Sequence, residues 1–396
     1  MSLNVLMPAD IRFPLPRANG VQIVKTAAAL ARAGTHTTLL VRQSDPRTTD
    51  EILELYGLKP EPQLEVRRLP VSHRTGSYAL PRLAFLARTT AAAVAGRRAA
   101  IVYTRDLQLA DLLLGLTAFA HGPVAYEAHA VEALLYAERG ALYGTGEKPN
   151  PRKARRLAKR ERRVWKGAAA FVTTTAGIRD SLTTAFGSRE HVHVIPNGCD
   201  VAEDRRFIAP DRSAARVVYA GQLYPWKGVD VLVEAMLRVP EARLVILGGI
   251  ESEADLPRIR ERVGALGLSD RIEMLGTVPQ ARVAEELARA SVICVPFLKS
   301  VMTERHTSPI KLFEALAAGR PIVATDLPST REVLRDGETA RLVPPGEPAA
   351  LAAAIQGLLA DREAAERLAR AAWEDAPRYS WDARAKAILA AIEEVL

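Results

Sequence analysis

Thr307-Ser308-Pro309-Ile310-Lys311-Leu312-Phe313-Glu314, continuing through Ala315-Leu316-Ala317-Ala318-Gly319-Arg320-Pro321-Ile322-Val323-Ala324, reads as a loop, a short helix and a buried strand. Ser308 before Pro309 is a helix start. The hydroxyl accepts an early backbone N–H, and proline at the first helical position gives up an N–H that has no intrahelical partner. Gly319 and Pro321 end the helix, and Ile322-Val323-Ala324 opens the next strand. Two charges stand out. Lys311 falls in the first turn, where the helix dipole favours an anion; a cation there is explained if it shares a phosphate with the free N–H groups. Glu314 lies one turn on among apolar neighbours, where an unpaired carboxylate is costly. The plain alternative is a surface Lys–Glu pair at i, i+3.

The same alternation spreads outward from this stretch. Strands are expected at 216–223, 243–248, 271–275, 292–297 and 321–325, helices at 228–238, 280–290 and 309–318, and further helices at 347–371 and 381–395. The first half repeats the pattern, with strands at 3–9, from 36, near 65–71, 99–105, 123–129, 169–175 and 192–196, and a helix from about Gly20 to Ala33. Such alternation argues for parallel sheets covered by helices. The turn Ile195-Pro196-Asn197-Gly198-Cys199-Asp200 and the polar, aperiodic run after it mark a boundary. The expected division is 1–199, a linker at 200–215, a second domain at 216–378 and a closing helix at 379–396. No G-x-G-x-x-G follows the first strand, so no dinucleotide fingerprint is present. Gly20 either lets backbone approach a ligand or only shapes the turn.

A chain of 396 residues, 48% apolar and 25% charged, can form two globular cores. Its two cysteines, Cys199 and Cys294, match no metal spacing and point to a reducing compartment. The N-terminus carries no signal-peptide pattern, and no apolar run approaches the ~20 residues that span a bilayer. A cytoplasmic location is expected. The net charge of +8 is local: nine of 54 basic and one of 46 acidic residues lie within 151–166, leaving 45 of each elsewhere. That segment reads as a solvated helix face, as a patch that draws the protein to the anionic inner face of a membrane, or as a site for an acidic acceptor. No interleaved aromatics support nucleic acid.

The 307–324 stretch resembles the nucleotide-sugar signature of the retaining glycosyltransferases of family 4, which have the GT-B fold. In that family a Glu, seven residues and a second Glu precede small residues and Gly-x-Pro. Glu314 is the second Glu here, and His306 stands at the first. Gly221-Gln222-Leu223-Tyr224-Pro225-Trp226-Lys227-Gly228 is similar to the family's Gly-Arg-Leu-x-x-x-Lys-Gly, with Gln222 in place of the Arg. Tyr126-Glu127-Ala128-His129 ends a strand where the family places a His near the sugar's 6-hydroxyl. Tyr103-Thr104-Arg105-Asp106 resembles the family's Arg-Asp, and Glu332 fits a family position as a helix-start acid.

The resemblance implies an α/β protein of two Rossmann-like parallel-sheet domains facing a central cleft. It also implies that the closing helix packs back on the first domain, with Trp381 as its anchor. It implies a retaining, metal-independent hexosyltransferase that uses a UDP- or GDP-linked sugar as substrate, needs no cofactor and takes a glycan, lipid or small-molecule acceptor. His129, Lys227 and Glu314 are the expected catalytic residues. Gln222, Lys227, His306, Thr307, Ser308, Pro309, Ile310, Lys311 and Glu314, with Gly20, are the expected donor-binding ones. Glu314 would bind the ribose, and Lys227, Lys311 and the helix N-terminus the diphosphate. Glu304 is a substitute for His306 if the loop shifts. Another GT-B enzyme, such as a sugar-nucleotide epimerase or a phosphorylase, and a non-catalytic nucleotide-sugar binder remain as alternatives.

Overall fold

A computed structural model describes residues 3–15, 17–70, 79–96, 100–116, 121–202, 204–210, 215–251 and 253–396. The chain divides into two compact units. One comprises Met1–Tyr136, Asn150–Asn197 and Trp381–Leu396, and the other Ala137–Pro149 and Gly198–Ser380.

In the first unit seven strands form one parallel sheet: β1 (Asn4–Phe13), β2 (His36–Gln43), β3 (Leu64–Leu69), β4 (Ala100–Thr104), β5 (Val124–Ala128), β6 (Ala170–Thr173) and β7 (Val192–Val194). Their order is β3-β2-β1-β4-β5-β6-β7. Helices α1 (Ala18–Arg32), α2 (Thr49–Leu55), α3 (Ala79–Gly96), α4 (Leu107–Leu114), α5 (Glu132–Leu142), α6 (Pro151–Gly167) and α7 (Ala176–Phe186) connect them. The last half of α5 and its following loop belong to the second unit. The chain's last helix, α15 (Trp381–Glu393), packs on α1 in the first unit, with Trp381 only 3% exposed.

The second unit holds a six-stranded parallel sheet of β8 (Arg216–Ala220), β9 (Arg243–Leu247), β10 (Ile272–Gly276), β11 (Val292–Val295), β12 (Ile322–Thr325) and β13 (Arg341–Val343), ordered β10-β9-β8-β11-β12-β13. Its helices are α8 (Val229–Ala235), α9 (Asp255–Ala265), α10 (Gln280–Ala288), α11 (Ile310–Ala318), α12 (Pro328–Arg331), α13 (Pro348–Ala360) and α14 (Arg362–Asp375). Leu244, Val245, Ile246 and Leu247 are all buried, as a parallel strand covered on both faces requires. Both sheets reverse their strand order beside the first strand, at β1/β4 and at β8/β11. Ligands of open α/β sheets lodge beyond the carboxyl ends of strands at such points.

Several boundaries differ from the sequence reading. The helix expected over 347–371 is two, because Asp361 stops the first and caps the second by accepting from Ala364 N–H at 3.0 Å. Strand β13, three residues long, was not anticipated. Residues 71, 99, 203 and 211–214, parts of the expected strands and linker, lie outside the described residues. The linker residues 205–207 are tied to the second unit, with the Arg205 guanidinium 3.8 Å over the Trp373 ring. Cys199 and Cys294 are buried and unbridged.

Candidate functional site

The second unit gathers its unusual charges at the β8/β11 switch point. Lys227 ends a tight 3-10 turn, Pro225–Lys227, and its ammonium lies 3.7 Å over the Trp226 ring and 4.8 Å from the Phe297 ring. Lys311, in the first turn of α11, donates from Nζ to the Tyr219 hydroxyl at 2.8 Å. That hydroxyl donates in turn to the Gln222 carbonyl at 2.6 Å, so one relay ties α11 to the loop after β8. Gly221 has no side chain because the Lys311 ammonium takes its place: a Cβ there would sit 2.2 Å from Nζ, at a φ of +143°. Among the described residues neither ammonium has a carboxylate partner. Burial pushes Lys227 down to about 7. Burial first, then the neighbouring Lys227 charge, holds Lys311 well below the ordinary lysine range, against an opposing pull from Glu314. Two adjacent cations without a counter-ion form a place for a bound anion.

The start of α11 corrects the sequence reading. Pro309, at φ −81° and ψ 126°, is extended and stands at the cap position, where its own side chain accepts no N–H, and the helix begins at Ile310. The cap position is thus Pro309, one residue after Ser308. The first-turn N–H groups of any α-helix have no intrahelical acceptor, and a helix N-terminus favours an anion. Thr307, buried, donates its hydroxyl to the Met302 carbonyl at 2.7 Å and so fixes the approach to the helix.

Glu314 and Lys311 form no ion pair, which removes the surface-pair alternative. Glu314 instead accepts from Gln280 Nε2 at 2.5 Å and borders a cavity of about 370 Å³ lined also by Asp200, Arg205, Arg320 and Trp373. His306 closes a π-helical turn, Met302–His306, and is 2% exposed; burial and the Arg305 charge push it down to about 4, so its ring is neutral. Glu304 is occupied by Lys299 at 3.3 Å. Gln222 keeps a buried side-chain oxygen without a hydrogen-bond partner. Glu332 follows the end of α12 rather than starting a helix, and it is exposed.

In the first unit, β5 and its exit carry Glu127, 1% exposed, and His129, which share a hydrogen bond of 2.5 Å. Asp106 has a structural task. It caps α4 by accepting from the Gln108 and Leu109 N–H groups at 3.0 Å and pairs with Arg82. Gly20, expected at a ligand, lies inside the first turn of α1, where the Leu15 carbonyl would be 2.1 Å from any Cβ; the chain itself fills that space. Sequence reasoning missed Tyr219, Gln280, Gln22 and Arg384. Only Arg384 left a signal, a charge on the apolar stripe of α15.

The basic segment forms α6, started by Asn150, whose side chain accepts from Arg152 N–H at 2.9 Å, with Pro151 at the first position. Its buried side is Glu161, Val164 and Trp165. Glu161, the one acid of the run, accepts backbone N–H groups from Glu132 and Ala133 at the start of α5, and burial raises it to about 7. Arg160 and Arg163 pair with Asp111 at 3.4 and 2.6 Å. Arg152, Arg155, Arg156, Lys159, Arg162 and Lys166 are exposed and have no carboxylate partner among the described residues.

Comparison with known proteins follows this division. Residues 19–198 match the family described as glycosyl transferase 4-like domain, and residues 214–361 match glycosyl transferases group 1. The chain is 37% identical over 211 residues to a phosphatidyl-myo-inositol mannosyltransferase of Mycobacterium leprae, a match covering 51% of this chain and 53% of that protein. It thus spans about half the length of the curated relatives it matches. Among solved structures it is similar in fold to sucrose-phosphate synthase from Thermosynechococcus elongatus, with a TM-score of 0.78 at 20% identity and 99% of both chains covered. It is also similar to Anabaena HepE in complex with UDP-glucose, with a TM-score of 0.73 at 17% identity, covering 99% of this chain and 100% of that one. The fold is GT-B. The two matches lie in chain order, so the chain carries a glycosyl transferase 4-like domain followed by a glycosyl transferases group 1 domain.

Proposed function

We propose that this protein transfers a hexosyl group from a nucleoside diphosphate sugar to an acceptor, with retention of configuration and without a metal. The observation that carries this reading is the pair of Lys227 and Lys311 ammonium groups, which have no carboxylate ion-pair partner among the described residues, with Lys311 in the first turn of α11. Charge that develops on a departing diphosphate is stabilised best by fixed donors and cations already in place. Glu314, one turn along the same helix and held by Gln280, is suited to accept the ribose hydroxyls. His129 is the group proposed to meet the transferred sugar. HepE, similar in fold, binds UDP-glucose, which supports a donor of that class.

A thermal-shift panel of nucleoside diphosphates and their sugars tests this. A donor at 100 times its dissociation constant is expected to add about 2.7 kcal/mol of apparent stability to the wild type and to lose most of that in Glu314→Ala. The anomeric configuration of the product, read by proton NMR, decides retention. A panel in which no nucleotide shifts the wild type sinks the reading.

The same reading places the acceptor step at an anionic membrane surface. The six exposed, unpartnered cations of α6 support it, since each contributes about 1 kcal/mol near such a surface. No helix among the described residues is long and apolar enough to cross a membrane. Changing Arg152, Arg155, Arg156 and Lys159 together to Gln is expected to weaken co-sedimentation with phosphatidylglycerol-containing vesicles about 1,000-fold and to leave the weak binding to pure phosphatidylcholine unchanged. Equal sedimentation of both proteins with the anionic vesicles would assign α6 to a plain solvated face.

A further inference from the structure

We infer that Glu127, held by Arg384 from α15, is the positioning residue for His129, so that the last helix of the chain fixes the tautomer of that imidazole; this rests on the reading of His129 as the group that meets the sugar. The Glu127 carboxylate receives four side-chain donors, from α1, β4, α15 and the exit of its own strand β5. Gln22 Nε2 from α1 lies at 2.9 Å, His129 Nε2 at 2.5 Å and Arg384 Nη2 at 2.5 Å, and the Tyr103 hydroxyl from β4 completes the set. Gln22 is itself oriented, because its side-chain oxygen accepts from Arg105 at 2.8 Å.

An ionised carboxylate has no hydrogen to give, so the ring nitrogen facing it must carry the proton. His129 then presents Nδ1 as a bare acceptor, able to take a hydrogen bond from a hydroxyl group. Burial alone would raise Glu127, but the Arg384 charge foremost, then His129 and Arg105, hold it well below the usual carboxylate range. Burial and the Arg105 charge push His129 down to about 4 against the pull of Glu127, so the ring is neutral near pH 7. Without Arg384 the buried carboxylate would be uncompensated and would take up a proton. It could then donate as well as accept, and the imidazole would no longer be fixed.

The pair is poorly built for stability. Arg384 is 3% exposed, and its Nε and Nη1 are buried with no acceptor among the described residues. A half-satisfied buried guanidinium costs more than an apolar side chain of its size would. That expense is intelligible if the arrangement serves His129.

The test combines NMR and steady-state transfer on the full chain, with folded fractions measured by circular dichroism. The wild type is expected to show a downfield, slowly exchanging imidazole N–H resonance, assigned by its absence in His129→Gln. Glu127→Gln and Arg384→Met should lose that resonance to solvent exchange and lower kcat about 10- to 100-fold, with the donor KM within about twofold. Asp382→Ala, which removes the exposed ion pair of α15 with Arg32, should change neither reading. If Arg384→Met does not fold, Arg384→Lys takes its place and is expected to keep the resonance while lowering kcat less. A resonance that persists in Glu127→Gln, or a kcat per folded molecule that is unchanged in both variants, overturns the inference. If the wild type turns over no donor, the transferase reading fails, and the N–H resonance still decides the positioning.

Discussion

Lys227→Met is expected to lower turnover of the donor by about 10²- to 10³-fold, the range seen when one preorganised donor to a developing oxyanion is removed. Its melting temperature should stay the same or rise. The two effects have one cause. An ammonium lodged over Trp226 and Phe297 beside a second ammonium, with no carboxylate paired to either among the described residues, opposes folding and is useful only when an anion arrives. The pH dependence follows with a definite sign. Folding lowers Lys227 from 10.5 to about 7, so between those values the unfolded chain binds more protons than the folded one. Stability of the unliganded wild type therefore rises with pH through that window, and Lys227→Met loses this contribution. A diphosphate restores the charge, so binding at pH 8 should take up on the order of one proton. Calorimetry in two buffers of different ionisation enthalpy measures that uptake. A wild type that binds donor without proton uptake, or a Lys227→Met variant of full activity, would remove Lys227 from the diphosphate.

Much of this was legible because its signals are local. Parallel strands buried on both faces leave near-continuous apolar runs, and Leu244-Val245-Ile246-Leu247 is one. Lys227 and Lys311 stand next to glycine and proline signals that mark the loops after strands. Other features depend on distant partners. Arg384 interrupts the stripe formed by Trp381, Ala385 and Ile388, which announces a buried charge, but its partner Glu127 is 257 residues away. Tyr219 reads as an ordinary strand residue, and only the fold brings its hydroxyl between Lys311 and Gln222. Pro309 reads as the first helical residue; its extended ψ moves the start by one, to Ile310, and makes Pro309 the cap residue. Nothing in the composition of residues 137–149 shows that they fold with the second unit, where Tyr143 packs edge-on against Tyr224 at 5.1 Å.

Gly228→Ala is expected to destabilise the protein by about 2–5 kcal/mol, read as a lower urea midpoint with an unchanged slope. In the sequence this glycine is only the second half of a Lys-Gly pair. In the structure it adopts φ +72° and ψ 18°, the left-handed region, which costs a residue with a Cβ about 1–2 kcal/mol. A Cβ there would also lie 1.7 Å from the Pro296 carbonyl oxygen, so the loops after β8 and β11 must separate, at a further cost of about 1–3 kcal/mol. Those loops are joined two residues away, where the Leu298 N–H donates to the Trp226 carbonyl at 3.0 Å. Separation therefore carries Trp226 and Lys227 away from Lys311, and turnover should fall together with stability. Gly264→Ala in α9 is the matched control: nothing lies within 4 Å of its added Cβ, and it should gain up to about 1 kcal/mol. If Gly228→Ala unfolds within 1 kcal/mol of the wild type and keeps its activity, the close approach of the two loops does not hold Lys227 in place. If both fall while Gly264→Ala gains, one backbone contact sets the stability of this unit and the position of its cation.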